Sequence, residues 1–436
     1  MSAADTIFAL ASARGRAGVS VIRLSGPDAL KIGVEISGPL DESRLAHLRS
    51  FKNPKTDEVI DRGLVMSFKD GASFTGEPVV ELQCHGSVSV VDAILSILGD
   101  FDRCRLAEPG EFTKRALLNG KMDLVEVEGL ADLIEAETEE QRRQANRMMS
   151  GDLREKADVW TRKLLKLNAL LEASIDFADE ELPDELLANL GSDISELLKS
   201  LRSEIEGSRG NEIIRNGFTV AIVGKPNVGK STLLNTLTGR EAAIASEIAG
   251  TTRDVIEVRL NLGGIPVILL DTAGLHDSDD EVEKIGIDRA RQRAADADLR
   301  LFLIEDEGDL KGLDVSLEPG DLVVLSKSDL KSNLTGLGVS SKTGQGVTDL
   351  IAEIEGVLAK RTGPSSSLVR QRHIDTASAA CFALEAALDL LAIDNYDIEL
   401  VSERVREAVS HLDHLVGKFN VEAVLGEIFS NFCIGK

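Results

Sequence analysis

The segment Gly224-Lys225-Pro226-Asn227-Val228-Gly229-Lys230-Ser231 constrains this chain more than any other part of it, because it follows the apolar run FTVAIV and opens the run STLLNTL. Strand, glycine-rich loop and helix in that order form a cradle for phosphate, since glycines let successive backbone N–H groups turn inward at the positive end of a helix. Lys230 is placed to reach the β and γ phosphates of a nucleotide, and the Ser231 hydroxyl to ligate magnesium. Asn227, Val228, Gly229 and Thr232 complete the expected phosphate-binding set. Around this loop the fold narrows to α/β. The strand-like runs FTVAIVG, IPVILLD, LRLFLIED and DLVVLSK alternate with helical ones over residues 218–360, which predicts βαβ units and a mostly parallel sheet.

Three later segments say which nucleotide. Asp271-Thr272-Ala273-Gly274 ends an apolar run, where the aspartate holds magnesium through water and the Gly274 N–H senses the γ-phosphate. LVVLSKSDL puts Lys327 and Asp329 just past a strand, and an aspartate there accepts two hydrogen bonds from the guanine edge, a donor pair that adenine lacks. Ser340-Ser341-Lys342 follows where a loop N–H meets the guanine carbonyl. In this order they point to GTP. Two departures stand out. Ser326-Lys327-Ser328-Asp329 carries serine where GTPases usually carry asparagine, which removes about 1 kcal/mol of tethering hydrogen bond. Leu275-His276 stands where a water-positioning glutamine is usual, so either hydrolysis is slow and needs an activator or another group does that work. Upstream, Gly250-Thr251-Thr252-Arg253-Asp254 offers Thr252 to complete a magnesium shell.

A chain of 436 residues predicts two or three domains. Residues 1–120 mix short apolar runs with turn residues, the texture of a small α+β domain; 121–217 read as long amphipathic helices, and helical texture returns over 361–436. Helices on both sides of the α/β block suggest that the block is inserted into one helical domain, as a domain with close ends permits. The cysteines at 84, 104, 381 and 433 form no metal-ligand or disulfide spacing, and no apolar run spans a bilayer, so a reducing, cytoplasmic compartment fits. A formal charge of −25 and 3 % aromatic residues oppose tight binding to nucleic acid.

The P-loop with an internal asparagine, followed by IAGTTRD and DTAGL, resembles the potassium-activated GTPases. The flanking segments RGRAGVSVIRLSG, SFTGE, ELQCHG, PGEFTKRA and the final FCIGK extend the resemblance over essentially the whole chain to the MnmE (TrmE) family of the TrmE-Era-EngA-YihA-Septin-like superfamily. That resemblance implies a multidomain α/β protein: an N-terminal folate-binding and dimerisation domain, a helical domain, and an inserted Ras-like GTPase domain. It implies a homodimer that acts with the flavoprotein MnmG, which uses FAD and NADH, to place an aminomethyl or carboxymethylaminomethyl group on carbon 5 of the wobble uridine of certain tRNAs. The one-carbon unit comes from 5-formyltetrahydrofolate or methylenetetrahydrofolate. Family roles carried onto matching positions give Arg23, Glu81, Lys121 and Lys436 to folate, and Asn227 with Ser246, Ile248 and Thr251 to potassium. Glu283 matches the residue that orients the attacking water, and Cys433 is a candidate for the modification chemistry. His276 replaces a common arginine. Two other readings stay open: a ribosome-assembly GTPase of the Era or Der type, although no second P-loop or basic GXXG loop is evident, and a pure GTP-driven switch for a catalytic partner.

Overall fold

A computed structural model describes residues 5–40, 42–176, 189–239, 257–271, 295–312, 317–330, 336–362, 366–417 and 435. These fall into two compact units, residues 1–131 with 416–436 and residues 132–415.

In the first unit β1 (Thr6–Leu10), β2 (Ala17–Ser25), β3 (His47–Lys52), β4 (Val59–Phe68), β5 (Val79–Gly86) and β6 (Cys104–Leu106) form one sheet ordered β3-β4-β5-β2-β1-β6. All neighbours are antiparallel except β1 and β6. Because side chains alternate along a strand, Ile22 and Leu24 join Phe8, Leu82, Ile94 and Leu98 in a core with α1 (Ala29–Ser37) and α2 (Val88–Gly99). Arg23 and Ser25 therefore point to the opposite face. There Ile7 and Ala9 pack with Phe112, which opens α3 (Glu111–Leu118).

In the second unit β7 (Phe218–Val223), β8 (Glu257–Leu262), β9 (Ile265–Asp271), β10 (Leu299–Ile304) and β11 (Leu322–Leu325) form a sheet ordered β11-β10-β7-β9-β8. Only β8 runs antiparallel, so the expected mostly parallel sheet is present. The parallel strands read as near-continuous apolar runs because both faces are covered, as in parallel sheets generally, whereas the antiparallel edge strand β8 alternates. Phe218, Val220, Leu269, Leu301 and Leu303 pack with Leu233 and Leu237 of a helix at Lys230–Thr238 and with Leu350 and Ile354 of one at Val347–Thr362.

The chain also forms long helices. In chain order they are α4 (Leu124–Glu135), α5 (Glu139–Met149), α6 (Asp152–Asp176) and α7 (Leu190–Asn216), then α8 and α9 as given for the sheet, then α10 (Gln371–Leu391) and α11 (Ile398–Leu415). Helix α10 packs on α7 and α11, and α11 on α6. The α/β block leaves α7 through Gly217 and returns beside the same helix. A Cβ on Gly210 of α7 would lie 1.9 Å from the Thr362 carbonyl, and Asn211 Nδ2 donates to the carbonyls of Ser366 and Leu368 at 2.6 and 3.0 Å. Glycine is required at 210 for that approach. Among the described residues no helix is long and apolar enough to cross a membrane.

Candidate functional site

The phosphate cradle is built at the carboxyl ends of the parallel strands, where open α/β sheets bind ligands. Directly after β7, a Cβ on Gly224 would lie 2.3 Å from the Leu303 carbonyl, so only glycine lets the loop leave the sheet here. Asn227 (φ 62°) and Gly229 (φ 107°) are left-handed, which curls the backbone and turns its N–H groups toward one side. Helix α8 then starts at Lys230, with Leu233 N donating to Gly229 O at 2.8 Å. Lys230 is 6 % exposed, and its Nζ donates to the carbonyls of Gly224 (2.5 Å) and Lys225 (3.1 Å). Val228 is buried, whereas Asn227, Ser231 and Thr232 are exposed on the open side.

The later segments arrive at the same edge. Asp271 ends β9 opposite Ile222 of β7, two residues before the loop. Lys327, itself left-handed at φ 54°, and Asp329 lie in the turn after β11. That turn is bonded to the Ser340 loop, with Ser328 N donating to Val339 O at 3.1 Å and Val339 N to Leu325 O at 2.7 Å. Thr236 of α8 donates to the Ser341 carbonyl at 2.8 Å, which fastens the Ser340-Ser341-Lys342 loop to the helix of the cradle. Lys342 and Asp329 are exposed, and Ser340 is buried. Gly274, Thr252, Glu283, Ser246, Ile248, Thr251, Cys433 and Lys436 lie outside the described residues. Among the described residues no group of three metal-ligating side chains occurs.

A second constellation lies in the first unit. Arg23 of β2 and Glu81 of β5 are direct cross-strand partners, and Arg23 Nε and the terminal NH2 group both meet Glu81 Oε1 at 2.9 Å. The guanidinium lies 5.7 Å from the ring centres of both Phe74 and Phe112. Lys121 Nζ donates to the Gly71 carbonyl at 2.8 Å, on the loop that carries Phe74. Beneath this loop Arg115 bridges Glu77 (2.9 Å) and Glu111 (3.0 Å), and Arg105 grips Glu111 through two nitrogens at 2.7 and 2.9 Å. Burial raises the Glu111 pKa, but the hydrogen bonds from Arg105, the Glu108 N–H and Arg115 outweigh it and hold the carboxyl below its ordinary value. Gly435 (φ 105°) sits against β1, where an added Cβ would lie 2.1 Å from the Leu10 carbonyl.

Comparison with known proteins decides the family. A model described as the TrmE N-terminus of a GTP-binding protein matches residues 6–121, and a model of the MnmE helical domain matches 124–433. A tRNA modification GTPase MnmE of Cereibacter sphaeroides is 52 % identical over 435 residues, 99 % of this chain and 100 % of that protein. The one from Ruegeria pomeroyi is 51 % identical over 434 residues, with the same two coverages. The chain belongs to the MnmE family of tRNA modification GTPases. It is thus a GTP hydrolase of tRNA modification.

Two solved structures are also similar over part of the chain. The G domain of the Thermotoga maritima FeoB iron transporter is 25 % identical and covers 32 % of this chain and 98 % of its own, with a TM-score of 0.25. Era in complex with MgGDPNP and a 16S ribosomal RNA segment is 28 % identical, covers 38 % and 66 %, and gives 0.26. Such TM-scores add nothing to the topology described above.

For this MnmE-family chain the structure also supplies residues that sequence reasoning passed over. Asp309 accepts from Lys225 Nζ at 2.6 Å and from the N–H groups of Glu305 and Asp306 at 2.9 and 3.2 Å, which pins the cradle to the loop after β10. The Lys225 bond first, then the two N–H donors, lowers the Asp309 carboxyl to about 2. Glu305 of the same loop accepts from Lys327 Nζ at 2.5 Å. Their only sequence signal is the acidic run EDEGD after a strand, which reads as an ordinary solvated turn. Burial above all pushes the thiols of Cys84, Cys104 and Cys381 up to about 11. These three are protonated, unreactive core groups at neutral pH.

Proposed function

We propose that the chain binds GTP through Asn227–Thr232, Asp271, Lys327, Asp329 and Ser340–Lys342, with Gly274 sensing the γ-phosphate, hydrolyses it with potassium stimulation, and couples turnover to a folate-dependent modification of the wobble uridine of tRNA carried out with MnmG. The observation that carries the nucleotide reading is the convergence of the cradle, the Lys327–Asp329 turn and the Ser340 loop at one sheet edge, with Thr236 joining the first to the last. A phosphate chain fits that cradle because it meets inward N–H groups and a helix N-terminus at once. Lys230 would exchange its two carbonyl partners for phosphate oxygens, a stronger charge-assisted bond. Ser231 and Thr252 would hold magnesium, which draws charge from the phosphate oxygens as the bond to the leaving group breaks. Asn227 and the oxygens of Ser246, Ile248 and Thr251 would hold potassium in the place where other GTPases use an arginine. Glu283 orients the attacking water.

Support for the folate reading comes from the first unit. Arg23 and Glu81 pair on the sheet face, Lys121 lies on the adjoining loop, and Gly435 brings the chain's end to Leu10, next to the Ala9 that faces Arg23 across the strands. Lys436 completes that set, and Cys433 is a candidate for the transfer chemistry. The working assembly is a homodimer joined through N-terminal domains, with MnmG holding most of the tRNA.

The test measures GTP turnover in equimolar potassium and sodium, with wild type and Glu283→Ala. Sharp activation by potassium, and slowed turnover at unchanged nucleotide affinity in the variant, are expected; equal rates in both salts would refute the potassium reading.

A further inference from the structure

The loop between β4 and β5 runs Gly71-Ala72-Ser73-Phe74-Thr75-Gly76-Glu77, and its polar groups are tied down on both sides of Phe74. Gly71 N donates to Gly76 O at 2.8 Å, and the Gly71 carbonyl accepts Lys121 Nζ at 2.8 Å. Arg44 bonds the Ala72 carbonyl (2.8 Å), Asn119 the Thr75 carbonyl (2.7 Å), and Ser73 Oγ the Glu77 carbonyl (2.5 Å). Ser25 Oγ meets both Thr75 Oγ1 (2.7 Å) and Glu77 Oε2 (2.8 Å). Gly76, at φ 80°, is wedged where a Cβ would come within 3.0 Å of Asn119 and 3.2 Å of Lys121. A loop so anchored has little freedom at its tip.

That tip is Phe74, 37 % exposed, with its ring 5.7 Å from the Arg23 guanidinium. A lone exposed apolar side chain on a loose surface needs no explanation. Here the same ring is fixed beside a guanidinium and a carboxylate that are already paired, in a chain with only 3 % aromatic residues. An aromatic face next to a donor–acceptor pair is the complement of a flat heterocycle with N–H and carbonyl groups along its edge.

We propose that Phe74 is the stacking residue for the pyrimidine half of a tetrahydropterin, whose polar edge is turned to Arg23 and Glu81. This rests on the folate reading of the site and adds to it the ring that selects a planar ligand. The pyrimidine half stays planar in reduced folates, whereas the saturated half does not, so one face of one ring is what Phe74 covers. The energetic logic is that of a base on an aromatic side chain, where removal of the platform weakens binding by about tenfold or more.

The experiment titrates the full-length protein with 5-formyltetrahydrofolate by calorimetry for wild type, Phe74→Ala, Phe74→Leu and Phe74→Tyr, with urea midpoints recorded to show that each variant is folded. Phe74→Ala should bind about tenfold more weakly, Phe74→Tyr should match wild type, and Phe74→Leu, which keeps apolar cover without a π face, should fall between them. A Phe74→Trp variant should show its added fluorescence quenched on binding, which reports ring contact without any reference to activity. Tight binding by wild type with Phe74→Ala within twofold of it, or Phe74→Leu equal to wild type, would overturn the stacking role alone. Absence of binding by wild type would overturn the folate reading, and this inference with it.

Discussion

Replacing Ser326 by asparagine tests how the loop after β11, the proposed guanine site, is tied to the cradle. Ser326 ends β11 with its N–H bonded to the Ile304 carbonyl at 2.8 Å, and its side chain is 3 % exposed. Among the described residues its Oγ has no hydrogen-bond partner. A buried hydroxyl left in that state costs about 1–3 kcal/mol. Ile304 follows Leu303, whose carbonyl is the atom against which Gly224 packs, so position 326 stands one strand away from the start of the cradle. An asparagine amide reaches further than serine and carries both donor and acceptor, which allows one bond across that gap. At about 1 kcal/mol the bond would tighten GDP about fivefold, and at about 1.4 kcal/mol tenfold. Two extra heavy atoms in a buried position carry an overpacking cost of about 1–3 kcal/mol, but this falls on free and bound protein alike and leaves affinity unchanged. Calorimetric titration with GDP reads the tether, and urea unfolding without nucleotide reads the packing cost. An unchanged dissociation constant, with or without lost stability, would refute the reasoning.

Other outcomes follow from the same geometry. Gly224→Ala puts a Cβ 2.3 Å from the Leu303 carbonyl and should lower stability by about 2–3 kcal/mol with loss of nucleotide binding, read by unfolding and GDP titration. Glu111→Gln should cost the folded protein about 3 kcal/mol at pH 7, the lower end for breaking a buried ion pair, because Arg105 is 43 % exposed. Its carboxyl is held low in the folded state, so the wild-type contribution is complete above the ordinary carboxylate range and is lost as pH falls through the depressed value. The variant's stability should change less over that acid interval, and urea midpoints between pH 3 and pH 7 check it. With a charge of −25 the protein alone should bind tRNA weakly at physiological salt and form a stable complex only with the flavoprotein partner, which a filter-binding assay decides.

What the sequence disclosed depended on how far apart the cooperating residues lie. The cradle, the Lys327–Asp329 turn and the Ser340 loop are each contiguous, and each follows an apolar strand, so period and punctuation were enough to place them at one sheet edge. Arg23 and Glu81 lie 58 positions apart. Nothing local marks them as partners, and only family resemblance singled them out. Lys225 and Asp309 are 84 positions apart, and a lysine in a loop and an aspartate in an acidic turn each read as solvated charges. Phe74 lies in the SFTGE segment that the resemblance rests on, but its 37 % exposure beside the Arg23 guanidinium cannot be read from one residue. The parallel pairing of β6, three residues long, with β1 is equally silent, since no pattern of hydrophobicity encodes which edge a short strand takes.

The second unit also shows how the α/β block is fastened to its helices. Its first strand follows α7 at Gly217, and the end of its last helix, Thr362, packs against Gly210 of the same helix. A second attachment lies at the turn between β8 and β9, where the Gly264 carbonyl accepts the Glu140 N–H at 3.1 Å and Arg259 pairs with Glu137 at 3.1 Å. Glu140 lies in the first turn of α5, capped by Thr138 and Gln141, and its N–H is one of those a helix leaves unpaired, so the turn serves as part of the cap. Gln141 in turn donates to the Arg215 carbonyl at 3.1 Å, near the point where α7 leads into β7. Between the attachments a cleft of about 450 Å³, lined by Glu140, Arg147, Asn211, Leu262, Glu355 and Thr362, separates the block from the helices. Strands β8 and β9 form the hairpin that carries the Gly264 turn. Any shift of that hairpin must therefore either break the Gly264 bond, exposing a helix N–H at a cost of about 1 kcal/mol, or carry the start of α5 with it.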